Sequence, residues 1–236
     1  MTGHDKTESA VTIDRNDRSR STGIPIFAVA LVLTMVWGML GATAKLSGNW
    51  LLHRVATIYT SVFRGTPELL LVLILYFGSA ITLTWLVKMF DPSVKFVDIP
   101  PFWAGALAIS LIVGAYATET FRGALQGIDA GQTEAARALG LAPWQIFACI
   151  KLPQMWRLAL PGLGNHMSSI VKDTALLSVI GVEEITYTAE MATALNGKPF
   201  SMYMIVAGIY LCFTTLLVIT VTRLEIRANR YLVKTQ

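Results

Sequence analysis

The sequence predicts an all-α integral membrane protein in which five membrane-crossing helices frame one long polar loop. Three observations predict it. The 236 residues are 54% hydrophobic and only 14% charged, with a mean hydropathy of +0.56, whereas soluble domains carry roughly 25% charged residues. Apolar runs recur over 23–44, 67–87, 102–121, 160–182 and 201–222, each near the ~20 residues that a helix needs to cross a hydrocarbon core. The lysines and arginines stand at the edges of these runs, so the net charge of +4 reflects membrane topology rather than a nucleic-acid surface.

In chain order, residues 1–22 mix charges with almost nothing apolar to bury, which predicts a disordered tail. The run 23–44 ends in Ala42-Thr43-Ala44, similar to a signal-peptidase site. Its length, its polar lead and the spans that follow predict a retained helix. Residues 45–66 turn amphipathic with Lys45, Arg54 and Arg64 and no acid, a cytoplasmic signature. After the second span, Lys88 and Lys95 are matched by Asp91 and Asp98. The fourth span, 160–182, is the most polar, holding Asn165, His166, Lys172 and Asp173. The stretch 183–200 reads as a polar loop, and 223–236 as a basic tail. The basic first, third and last connections place the middle loop and the C-terminus in the cytoplasm and the N-terminus outside, although arginines in the N-terminal tail pull the other way.

The middle loop, 122–159, has its own grammar. Asp129 and Gln132 have capping-box spacing, and the Ala-rich run from Glu134 favours a helix that Gly140 stops. Pro143 suits the first turn of a second short helix, which Pro153 is expected to end. The spacing predicts two stubby helices at a glycine hinge. Elsewhere, Gly162 and Gly164 after Pro161 permit either a close backbone approach or a helix break.

No reaction chemistry is legible. Asn196-Gly197-Lys198 lacks the upstream glycine and the following hydroxyl residue of a nucleotide-binding loop. His4, His53 and His166 are scattered, and neither a metalloprotease nor a serine-hydrolase motif occurs. Cys149 and Cys212 lie far apart in apolar sequence and read as packing residues, with no metal site. The expectation is a non-catalytic chain that binds no cofactor.

The anchors Glu134-Ala135-Ala136, Gly140, Ile150 and Leu152-Pro153 resemble the "EAA" loop of binding-protein-dependent ABC importer permeases. That resemblance implies the five-helix, MetI-like type I permease fold in a bacterial inner membrane, with the loop fitted to a separate ATPase that holds the ATP and Mg. Arg64-Gly65-Thr66-Pro67 resembles the "RGTP" motif of the polar amino acid subgroup; read alone, it is an interfacial turn. Glu119 and Arg122, within a segment that also matches that subgroup, are three residues apart and read foremost as a supporting ion pair. Lys172-Asp173-Thr174-Ala175-Leu176 matches a further family signature. An intramembrane charge costs at least ~2.5 kcal/mol on insertion scales, so this pair faces protein or water. The family likeness makes Asn165, His166, Ser169, Lys172, Asp173 and Thr174 candidates for lining the pathway, with subunit adhesion by Lys172 as the rival reading.

The shared motifs come nearest to permeases of histidine/lysine/arginine/ornithine and opine importers. This implies two ATPase copies, a second related permease, a periplasmic solute-binding protein and surrounding lipid as partners, and a basic amino acid or opine as solute. Two other readings stay open: an ion-coupled secondary transporter or channel using Lys172 and Asp173, and a membrane-anchored scaffold.

Overall fold

The structure, a computed structural model, describes residues 22–229. The tail expected over 1–22 lies outside the described residues apart from Thr22, as do Arg230 and Lys234. The described chain forms α1 (Gly23–Leu46), α2 (Trp50–Gly65), α3 (Glu68–Phe90), α4 (Pro101–Gln126), α5 (Ala130–Ala138), α6 (Pro143–Ile146), α7 (Leu152–Asp173), α8 (Ile185–Asn196) and α9 (Pro199–Asn229). The family expectation of an all-helical permease fold is met in these elements.

Helix α4 is the mast. It buries residues on nearly all of its faces, from Gly105 to Ala124, and α1, α2, α3 and α7 all lean on it. On α1 the buried positions Ile26, Ala30, Thr34, Gly38, Gly41 and Ala42 recur at four-residue spacing and form one stripe of mostly small side chains, which lets two backbones approach closely in a membrane. A Cβ on Gly38 would collide with Ala117 and Phe121, one on Gly41 with Thr118, and one on Gly114 of α4 with Trp37. These pairs ascend together, so α1 and α4 run parallel. Helix α7 runs antiparallel to α4, with Gly162 seated on Thr120, and α9 returns antiparallel to α7, with Gly164 seated on Val221. Of the two roles open to these glycines, the structure shows close approach: α7 passes through Pro161 without a break.

Two apolar clusters fill the interior. One, with Ile26, Ile109, Ile112, Ile170 and Leu177, lies toward the start of α1 and α4. The other, with Ala42, Phe121, Met155, Ala159 and Leu163, lies toward the middle loop. The end remote from the loop is tied by Glu184, only 2% exposed. Its carboxylate accepts from the Thr186 and Tyr187 amides at 2.7 and 3.2 Å, capping α8, and from the Tyr210 hydroxyl of α9 at 2.7 Å. The Thr22 hydroxyl donates to the Glu183 carbonyl, bringing the start of α1 to the same place.

Several boundaries differ from those read from sequence. Helix α4 runs to Gln126 and α9 to Asn229, past the ends of their apolar runs, because helical hydrogen bonding does not stop where hydrophobicity does. The stretch 183–200, read as a loop, contains α8, whose start is set by the Glu184 cap. Helix α7 starts at Leu152, eight residues early. It ends at Asp173, where the chain tightens into a 3₁₀ turn over Thr174–Ile180. Four described helices, α1, α3, α4 and α9, are long and apolar enough to cross a membrane. Helix α7 falls short in hydropathy; it packs between α4 and α9 rather than facing lipid on all sides. Cys149 and Cys212, expected to pack, are both exposed in the single chain.

The tightness of the α1–α4 seam makes a prediction. Gly41→Ala should destabilise the detergent-solubilised protein by the roughly 1–3 kcal/mol typical of overpacking, read as a lower melting temperature. Gly123→Ala, where an added Cβ meets nothing within 4 Å, should not lower it.

Candidate functional site: a projecting loop and a central polar cluster

The middle loop is held in shape by its own backbone. Asp129 caps α5, its carboxylate accepting from the Gly131 amide at 2.6 Å. The other half of the expected capping box is not made: Gln132 instead accepts from the Gln154 side chain at 2.5 Å, tying α5 to the start of α7. Helix α5 ends in a Schellman motif, with Gly140 N–H on the Arg137 carbonyl at 2.9 Å and Leu141 N–H on the Ala136 carbonyl at 3.1 Å. That motif needs a left-handed residue, and Gly140 supplies it at φ +77°.

The second helix does not end at Pro153. It starts as expected at Pro143, with the Ala142 amide donating to Gln145 Oε1 at 2.8 Å. The chain then widens into a π-helical stretch over Phe147–Lys151 and enters α7 without interruption. Leu152 N–H reaches back five residues to the Phe147 carbonyl. Pro153 occupies the first turn of α7, where its missing N–H leaves no α-helical donor lost. Glu134 and Ala135 are exposed while Ala136 is buried against the loop interior. Ile150 and Leu152 are half-buried, and Pro153 is exposed. Leu139 is 80% exposed and Trp144 69% exposed. Two large apolar side chains near Gly140 are thus exposed on a segment outside the apolar spans.

At the base of this loop Glu119 and Arg122 pair as their spacing suggested, Arg122 Nε to Glu119 Oε2 at 2.8 Å. A third member comes from another helix: Lys45, at the end of α1, meets Glu119 Oε1 at 2.5 Å. Farther along α4 a polar cluster lies inside the helical body. The Arg64 guanidinium stands 5.4 Å from the centre of the Tyr116 ring. Tyr116 neighbours His166, and His166 Nε2 lies 2.8 Å from the Thr120 hydroxyl. Asp173 faces the same region beside Glu68, and its Oδ2 is buried without a hydrogen-bond partner among the described residues.

The turn carrying Arg64, Gly65 and Pro67 thus brings a guanidinium onto Tyr116 of α4. Pro67 precedes the first turn of α3. The six residues singled out on the fourth span, five on α7 and Thr174 in the turn that follows it, divide. His166 and Asp173 share a face turned to the cluster, while Asn165, Ser169 and Lys172 lie on a second face, Asn165 and Lys172 exposed and Ser169 half-buried. Thr174 is buried, and its hydroxyl donates to its own backbone at Val171. The sequence reading gives no site role to Glu68, Tyr116, Thr120 or Glu184, and takes Lys45 as a cytoplasmic cation without a partner.

The fold and the loop define a multi-pass inner-membrane component of a transport system. The chain belongs to the family of binding-protein-dependent transport system inner membrane components, whose model matches residues 35–230. It is 39% identical over 201 residues to the octopine transport system permease protein OccQ of Rhizobium meliloti, 84% of each chain. It is 40% identical over 188 residues to the arginine ABC transporter permease protein ArtQ of Haemophilus influenzae, 80% of this chain and 82% of that one. The histidine/lysine/arginine/ornithine transport system permease protein HisQ of Escherichia coli is 39% identical over 186 residues, 79% and 81% of the two chains.

Among solved structures, the crystal structure of an amino acid ABC transporter with histidines superposes with a TM-score of 0.72 at 30% identity, covering 87% of this chain and 90% of that one. An inward-facing MetNI methionine ABC transporter superposes at 0.68 with 16% identity, over 88% and 93%, a likeness of fold. The chain is thus a permease component of the inner membrane, of a family that works with an ATPase and a binding protein.

The left-handed hinge carries its own prediction. Gly140→Ala should cost about 1–2 kcal/mol locally, because a Cβ is disfavoured in that conformation. Hydrogen exchange of the Gly140 and Leu141 amides should quicken, with little change in the rest of the protein.

Proposed function

We propose that this chain is a permease subunit of an ATP-driven importer for a basic amino acid or an opine, and that residues 127–153 are the arm by which an ATPase drives it. The observation that carries the reading is the projecting loop. Glu134 and Ala135 are open to a partner, Leu139 and Trp144 are exposed beside them, and the whole is braced by the Gly140 motif and the Gln132–Gln154 bond. Glu134, Ala135, Ala136, Gly140, Ile150, Leu152 and Pro153 are assigned to this coupling element. ATP and Mg belong to the ATPase, two copies of which clamp beneath a pair of permeases.

Sidedness follows from charge. Parallel α1 and α4, with α9 running the same way, put the loop and the end of α9 on one side. The basic connections assign that side to the cytoplasm. With α7 as the fifth crossing, residue 22 lies outside, where a periplasmic binding protein delivers the solute.

The second permease, a related but different chain, covers the α7 face at Asn165, Ser169 and Lys172. Such a partner answers the cost of exposing Lys172 to lipid. Arg64, His166 and Asp173 then border the route, with Thr174 at the point where α7 tightens. The solute class is taken from relatives named for octopine, for arginine and for histidine/lysine/arginine/ornithine.

Two tests follow. Affinity-tagged permease should recover its ATPase from solubilised membranes, and Glu134→Lys should abolish recovery; undiminished recovery with Glu134→Lys would overturn the arm. Proteoliposomes of the assembled importer should accumulate labelled arginine or octopine only with ATP and the binding protein. Uptake that runs without ATP and collapses with a protonophore would instead identify an ion-coupled carrier.

A further inference from the structure

Lys45 sits in a setting that its place at the end of an apolar run does not explain. Its side chain is only 11% exposed, although a lysine at the end of an apolar run ordinarily extends its head to water. Instead it turns onto another helix. Its ammonium meets Glu119 at 2.5 Å, Glu119 holds Arg122 at 2.8 Å, and Arg122 continues to Gln126 at 2.7 Å. Gln126 is the last residue of α4, and only residues 127–129 separate it from α5. The Lys45 carbonyl in turn lies 2.8 Å from His53 Nδ1, which fastens the start of α2. One residue therefore joins the ends of α1, α2 and α4 at the root of the loop.

We propose that Lys45 is a positioning residue for energy coupling: it makes α1, and through it α2, follow the inner end of α4 when the loop is displaced. The proposal rests on the reading of the loop as the ATPase contact. A shift of the end of α4 without Lys45 would be taken up by separation of the two helix ends. With Lys45 in place, the separation would leave its ammonium without a carboxylate in a partly shielded site, while Glu119 kept Arg122. Along the rest of the seam the glycine contacts at Gly38 and Gly41 leave no free space for α4 to move alone. Helix α2 then carries the displacement to Arg64, which stands over Tyr116 at the central cluster.

The test is a pair of spin-label distances in the assembled importer, with Cys149 and Cys212 replaced by serine. Labels at Leu46→Cys and Leu224→Cys report α1 against α9, and labels at Ala138→Cys and Leu224→Cys report α5 against α9. In the parent, adding the binding protein with MgATP and orthovanadate, which traps the ATPase with MgADP and vanadate, should shift both distances. With Lys45→Met the α5 shift should persist and the α1 shift should be lost; Lys45→Arg should restore it. An α1 shift in Lys45→Met equal to the parent's, with the ATPase still bound, would overturn the proposal, since a lysine of purely structural worth would alter thermal stability alone. If Lys45→Met does not assemble, the parent decides: α1 moving with α5 supports the proposal, and α1 still while α5 moves overturns it. An α5 that never moves overturns the coupling arm itself, a failure that recovery of the ATPase with Glu134→Lys detects independently.

Discussion

The close approach of α1 to α4 is the constraint on which the rest of the structure depends. Small side chains on α1 meet α4 along a seam that Gly38, Gly41 and Gly114 keep free of intervening atoms. In a bilayer such a seam is held by van der Waals contact and buried polar pairs, since lipid offers apolar groups as good an environment as protein does. The seam closes at one end on Lys45 and Glu119, where two charges satisfy each other instead of facing hydrocarbon. Because α4 runs straight into the projecting loop, whatever displaces the loop acts on the most deeply buried helix of the molecule.

The loop and the cluster use different physics to opposite ends. In the loop, every backbone device stiffens: an Asx cap, a Schellman turn on a left-handed glycine, and a glutamine pair across to α7. A stiff arm delivers displacement rather than absorbing it. The π-helical stretch over Phe147–Lys151 lets the arm join α7 without the gap that Pro153 would otherwise force. In the cluster, by contrast, Asp173 Oδ2 is buried without a hydrogen-bond partner among the described residues, and Arg64 stands over the Tyr116 ring. Incomplete pairing in a shielded site is costly, and sites of that kind suit transient partners better than permanent ones.

Much of the loop was legible because its geometry is local. A glycine that ends a helix, an aspartate that caps one and a proline that opens one act within a few residues of themselves, so Asp129, Gly140 and Pro143 behave as their neighbours dictate. The Glu119–Arg122 pair was legible for the same reason, as i and i+3 on one helix. Pro153 misled because a proline bars only the regular i to i−4 bond, and a π turn sidesteps it. Lys45 and Glu68 were invisible as partners: the first is 74 residues from Glu119 in sequence and the second more than a hundred from Asp173. Helix α8 was missed because its start is set by Glu184, whose burial depends on Tyr210 and on the start of α1. The polarity of α7 pointed to the right helix, yet only the fold separates the face of His166 and Asp173 from that of Asn165, Ser169 and Lys172.

The proposed cytoplasmic arm between this permease and its ATPase can be tested most directly by labelling one exposed position. In a chain otherwise free of cysteine, Leu139→Cys should react with a membrane-impermeant maleimide in inside-out vesicles and not in intact spheroplasts, and the bound ATPase should shield it. Labelling from the outer face, or labelling in inside-out vesicles that the ATPase leaves unchanged, would contradict the account.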